Sequence, residues 1–183
     1  MLQKFKDALS EKTLKIVIII TLIIFTILTI IFQLQNTTLQ IASGYGILDF
    51  EFAFNEATAI IILAAWGPAL RLLVLQGTYL DFLYIISYGL LIMSLNLLLA
   101  RKLKERWQTV GVLCALAPII AGLFDVIENV NLIIMLNNPT NFSSIAPLLA
   151  SICATLKFGF LLLGIGFSLI AILKLFIDKR RAE

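Results

Sequence analysis

The chain has 183 residues, of which 61% are hydrophobic and only 14% charged, and its formal net charge is +3. An average soluble domain is about one quarter charged. A soluble core of this size could not hide so much apolar surface, so the composition points to lipid as the solvent and to one integral membrane domain over 1–183. The bases sit in short clusters beside apolar runs, a topology signal that argues against nucleic acid as a partner, and the absence of histidine removes the commonest metal ligand and the usual general base near neutral pH.

The first segment, "MLQKFKDALSEKTLK", carries four lysines and leads into an unbroken apolar run from Ile16 to Phe32. A signal peptide would have a shorter apolar core followed by a small-x-small cleavage site. Here "QLQNTTLQ" follows instead, which predicts an uncleaved first helix over about 16–35. Three more spans are predicted, over about 79–100, 109–136 and 145–176. The last two exceed the roughly 20 residues a span requires, so they tilt or protrude. Ser143 or Ser144 can cap the last helix, and Pro147 fits its first turn.

Between the first two spans lies "TAIIILAAWGPALRLLVLQG", Thr58 to Gly77, which is apolar and long enough to be a fifth. Charge counting rejects that. With four spans, both termini and the "RKLKERW" link share one side and hold 12 of the 14 Lys and Arg residues. The positive-inside rule makes that side cytoplasmic, and a fifth span would move eight of those bases outside. Trp66-Gly67-Pro68 then explains how the chain avoids crossing, since Pro68 removes a backbone donor and Gly67 makes a break cheap. The expectation is a short broken amphipathic hairpin on the outer side, over about 57–76, built of helices near 57–66 and 68–76. The predicted fold is an all-α four-helix transmembrane bundle with this hairpin between helices one and two.

Ionisable residues within spans are costly and by default mark a functional site. They are Asp81, Asp125, Glu128 and Lys157, with Arg71 in the hairpin. Counting outward from the inner helix ends places all four span residues in the outer layer. Helical periodicity puts Asp81, Tyr84 and Tyr88 on one stripe, and Asp125, Glu128 and Asn129 on another. Lys157 shares its stripe with Ala150, Cys153, Ala154 and Gly164. Small residues mark close helix packing, so the charges face the bundle.

The structural alternative is that Lys157 with Asp125 or Glu128, and Arg71 with Asp81, only tie helices together. Three acids against two bases leave one acid over, however, and neighbouring carboxylates oppose each other's ionisation. Tyr84 and Tyr88 can donate into a pocket, although interfacial aromatic packing explains them more readily. Trp66 suits the interface. Glu51 and Glu56 read as solvated. Pro118 frees a carbonyl one turn earlier, that of Cys114, and bends helix three. The two cysteines read as packing residues, and no cofactor motif or metal-ligand spacing is present. A carboxylate Mg²⁺ or Ca²⁺ site is disfavoured by Lys157.

"ILAAWG", "LDFLYIISY", "AGLFDVIEN" and the lone lysine of "ATLKFGF" together resemble a group of small uncharacterised bacterial integral membrane proteins, over about residues 49 to 165. The resemblance implies a bacterial cytoplasmic membrane location and groups Trp66, Asp81, Asp125, Glu128, Asn129 and Lys157, but it brings no activity. Three functions follow as expectations. The first is an outer-leaflet site for a small or lipidic ligand, with Lys157 and Arg71 attracting an anionic group. The second is a membrane enzyme acting on a lipid through a carboxylate base. The third is an accessory subunit of a homo-oligomer or larger membrane complex, with purely structural ion pairs.

Overall fold

The computed structural model describes residues 6–182, and those residues are all-helical with no strand. Helix α1 runs Glu11–Ser43. Ser10 caps it, its side chain accepting from the Thr13 N–H at 3.0 Å, and Gly44 ends it in the left-handed region at φ 80°. The helix continues well past the expected end near 35. The polar run that suggested an end is absorbed, because Thr37 and Thr38 return their hydroxyls to the carbonyls of Gln33 and Leu34 at 2.8 and 3.0 Å.

Helix α2, Ile47–Glu51, is one short turn folded back against the end of α1. Asp49 Oδ2 accepts from the Gly46 N–H at 2.7 Å, and Asn36 Oδ1 accepts from the Ile47 N–H at 2.9 Å. These two carboxyl and amide oxygens satisfy the otherwise orphaned donors at the helix start.

Helix α3, Glu56–Lys102, starts at an Asn55 cap and contains a sharp break at Gly67, where φ is 59° and ψ −177°. That conformation is open essentially to glycine alone. The break falls where the Trp-Gly-Pro motif predicts it. The rest of the expected hairpin differs. Beyond Pro68 the helix does not stop near 76 but runs unbroken to Lys102, so 68–76 is the first part of helix two and not a separate arm. Gly77 and Thr78 do not end it: the Thr78 hydroxyl bonds the Val74 carbonyl at 2.9 Å, and Gly77 lies against the Gln35 side chain.

The expected third helix is two. α4 spans Glu105–Cys114 and α5 spans Ala117–Asn137, separated by a turn just before Pro118. Asn96 of α3 sits at this break, fully buried. It donates to the carbonyls of Cys114 at 3.3 Å and Gly164 at 3.0 Å, and accepts from the Ser168 hydroxyl at 2.5 Å. The carbonyl freed by Pro118 therefore has a partner from another helix. Helix α6 spans Ile145–Ala182, with Pro147 in its first turn.

Four stretches are long and apolar enough to cross a membrane: Glu11–Ser43, Glu56–Lys102, Arg106–Asn137 and Ile145–Arg180. α3 packs against α1, α5 and α6, and α5 packs along α6. α1 and α6 do not pack extensively against each other, so the bundle is open between them. The largest core cluster gathers Phe50 with Ile62, Leu63 and Trp66 from the short arm before the break, and Leu132, Met135 and Ala150 from α5 and α6.

Replacing Gly67 by Ala is expected to destabilise the fold by about 1–3 kcal/mol, measured by equilibrium unfolding. A Cβ there would meet no atom within 4 Å, so the loss would come from backbone conformation and not from crowding.

Candidate functional site

Lys157 is 7% exposed and lies one third of the way along α6. Its ammonium meets Glu128 Oε1 at 2.9 Å, Asp125 Oδ1 at 3.0 Å and Glu51 Oε2 at 3.4 Å. Asp125 and Glu128 stand one turn apart on α5, so both reach the same point. An ammonium has three donors and no acceptor, and all three are engaged here.

Other contacts extend the cluster. The Tyr88 hydroxyl donates to Asp125 Oδ2 at 2.8 Å, so both oxygens of Asp125 are occupied. Asn129 Nδ2 donates to Asp81 Oδ2 at 2.6 Å. Tyr84 shares a hydrogen bond with Thr29 at 3.2 Å and stacks on Phe25 at 4.9 Å. Glu128 Oε2 is buried without a partner. One cation among three carboxylates leaves the cluster negative unless it takes up protons, and uncompensated charge of this kind is expensive away from water.

Glu51 is the member that sequence reasoning missed. It reads as a solvated loop residue, yet it is buried beside Lys157 across 106 positions of chain. Ser151 of α6 holds the loop in place. It is fully buried, donates to the Glu51 carbonyl at 2.7 Å and accepts from the Phe54 N–H at 2.9 Å. Phe54 itself is held at φ 56°, unusual for a bulky residue. The available signal was the local composition: "LDFEFAF" is far too apolar for a solvated loop.

Two expected site residues lie elsewhere. Arg71 was expected to point toward Asp81, Asp125 or Glu128. Instead its Nε donates to the Gly67 carbonyl at 3.1 Å, within its own helix. Gly67 is the residue at the break, and Arg71 lies one turn beyond it on the same helix. Trp66 is not an interfacial anchor but a core residue, 2% exposed, edge-on to Phe50 and donating Nε1 to the Tyr45 carbonyl at 3.1 Å. Asp81 consequently pairs with Asn129 and not with Arg71.

A cavity of about 450 Å³ adjoins the cluster. Asp81, Tyr84, Tyr88, Asp125, Asn129, Lys157 and Glu51 form its polar end, while Glu128 lies behind them. Phe25 and Phe32 of α1 face Phe158 and Leu162 of α6 across it. This is the gap where α1 and α6 leave the bundle open, and Leu162 there is 70% exposed. The cavity is thus a polar-ended, apolar-walled slot with a side opening. Among the described residues no group of acids and cysteines is arranged to hold a metal ion, and the ammonium of Lys157 occupies the point on which the carboxylates converge.

Lys157→Met should destabilise the protein by about 3–5 kcal/mol, because it strands buried carboxylates. Adding Asp125→Asn and Glu128→Gln to that variant should recover most of the loss, read from the same unfolding curves. Glu51 adds a pH dependence. Burial pushes its carboxyl above the ordinary 4.5, with Lys157 opposing and Asp125 reinforcing the shift. The folded chain then holds that proton more tightly than the unfolded chain. The stability it contributes is complete below the ordinary value and is lost as pH rises through the folded one. Glu51→Gln should therefore make stability fall less steeply as pH rises above the ordinary carboxylate value, measured as the unfolding midpoint at each pH.

No protein-family model, curated protein or solved structure matches this chain.

Proposed function

We propose that this protein is a four-span integral membrane protein, with both termini cytoplasmic, whose outer half binds a small or lipidic ligand in the slot between α1 and α6. The observation that carries the reading is the slot itself: a charged, hydrogen-bonding end joined to an apolar mouth that opens sideways. An amphiphile has that same division. Its chain would lie between Phe32 and Leu162, and its head would reach Asp81, Tyr84 and Asn129.

The membrane setting is supported by the outward faces. Ile23, Ile30 and Leu34 on α1, Leu123 and Val130 on α5, and Leu169 and Leu173 on α6 are all exposed. Apolar surface on this scale around every side of a bundle fits lipid better than water. The lysine and arginine clusters at 101–106 and 174–181 then face the cytoplasm. Burying four ionisable groups at one depth in such a setting would be retained for use more readily than for stability alone, since apolar packing usually holds helices together at least as well.

Leu161 lines the slot. Leu161→Trp should fill it without replacing any member of the Lys157 cluster. Native mass spectrometry of the purified protein should show a co-purified amphiphile on the unaltered chain and not on this variant; equal loading of both would overturn the reading. Orientation has its own check. With Cys114 and Cys153 changed to Ala, a cysteine replacing Asn138 should react with an impermeant thiol reagent from outside intact cells. One replacing Lys104 should react only after permeabilisation.

A further inference from the structure

The identity of the head group can be narrowed by asking which hydrogen-bonding capacity in the slot is unspent. Lys157, the only basic residue among the described residues that line it, donates all three of its protons to Glu128, Asp125 and Glu51. Arg71, the other candidate for holding an anion, is turned to Gly67 and does not line the slot. The Tyr88 hydroxyl is spent on Asp125 and one amide proton of Asn129 on Asp81, while Gln35 and Asn36, which also line the slot, bring neutral amide donors and no charge. An anionic head entering here would find no free cation and three carboxylates.

Acceptors are in surplus. Asp81 uses Oδ2 for Asn129, and Oδ1 makes no hydrogen bond to the protein. The residue is partly exposed, and it lines the slot. It has no basic partner, unlike Asp125 beside it. Even with a proton on each of Glu51 and Glu128, Lys157 balances only Asp125, and Asp81 is left with an amide partner and no countercharge. The missing component of the site is positive and rich in donors.

We infer that the ligand is a cationic amphiphile, a protonated amine on an apolar chain, with its ammonium seated against the Asp81 carboxylate and its chain in the side opening between α1 and α6. This rests on the slot being a ligand site. An ammonium offers several N–H donors where the site has acceptors to spare, and a charge-assisted contact away from water is markedly stronger than a neutral one.

The test uses the full chain in a non-ionic detergent, with dodecylammonium, dodecanol and dodecanoate as probes of equal chain length, titrated calorimetrically. Leu161→Trp gives the baseline for partition into the micelle. Dodecylammonium should bind the unaltered protein about tenfold more tightly than dodecanol, with dodecanoate weakest. Asp81→Asn should reduce dodecylammonium to the level of dodecanol and leave dodecanol unchanged. Dodecanoate binding as tightly as the amine would overturn the inference, and so would an undiminished amine preference in Asp81→Asn. The comparison of three head groups on the unaltered protein stands even if Asp81→Asn fails to fold. If all three probes bind alike and Leu161→Trp abolishes all of them, the slot is a ligand site and the charge inference alone fails. If Leu161→Trp changes none of them, the slot reading fails as well.

Discussion

The buried ammonium of Lys157 is the contact around which this structure is arranged. It gathers carboxylates from α5 and from the α2 turn onto one point of α6, and thereby joins three parts of the chain that no backbone hydrogen bond connects. Such a cluster is a poor source of stability, because its desolvation cost offsets much of the attraction. What it does supply is definition. The helices cannot slide or rotate past one another without leaving one of these charges alone, and a lone buried charge is the least tolerable state available to them. The rest of the site hangs on this: Tyr88 is oriented by Asp125, and Ser151 holds the loop that delivers Glu51.

Two helix breaks make room for the cluster, and they work differently. At Gly67 the backbone enters a conformation that no other residue adopts readily, which lets the arm before it fold over the C-terminal end of α5 and the N-terminal end of α6 and seal the core around Phe50 and Trp66. Arg71 turns its Nε back to the Gly67 carbonyl at this break. At Pro118 the helix is interrupted because a donor is missing, and Asn96 repairs the carbonyl of Cys114 from α3. The first break shapes the roof of the bundle. The second lets α4 and α5 take separate lines below the site, with Asn96, Ser168 and Gly164 pinning the crossing point.

What the sequence makes legible follows from this physics. Four long apolar helices, the break at Gly67, a bend at Pro118 with its freed Cys114 carbonyl, and the meeting of Asp81, Asp125, Glu128, Asn129 and Lys157 could all be read from periodicity, spacing and backbone chemistry, although the bend proves to be a full interruption. Those are local or one-dimensional properties. The failures are tertiary. Glu51 is brought in by a turn whose fold depends on Asn36 and Ser151, far away in sequence. Arg71 was assigned to the acids because opposite charges attract, yet a carbonyl one turn away on its own helix was closer. The hairpin's second arm was expected to end near 76, but the helix runs on to Lys102, with Gly77 packed closely against the Gln35 side chain of α1.

These corrections alter the chemistry of the site as well as its membership. With Arg71 nearby the cluster would be close to balanced, and Lys157 could release one of its carboxylates to meet an anion. Without Arg71, and with Glu51 added, the balance runs the other way: the lysine is over-subscribed and Asp81 has only an amide for a partner. A site in that condition has two ways to approach neutrality, by taking up protons or by taking up a cation. Both are available at one opening, because Asp81, Asp125 and Glu51 all border the slot. Proton uptake and cation binding should therefore oppose each other here, each relieving the same excess of negative charge, and the slot's affinity for an ammonium would carry the pH dependence of the carboxylates that line it.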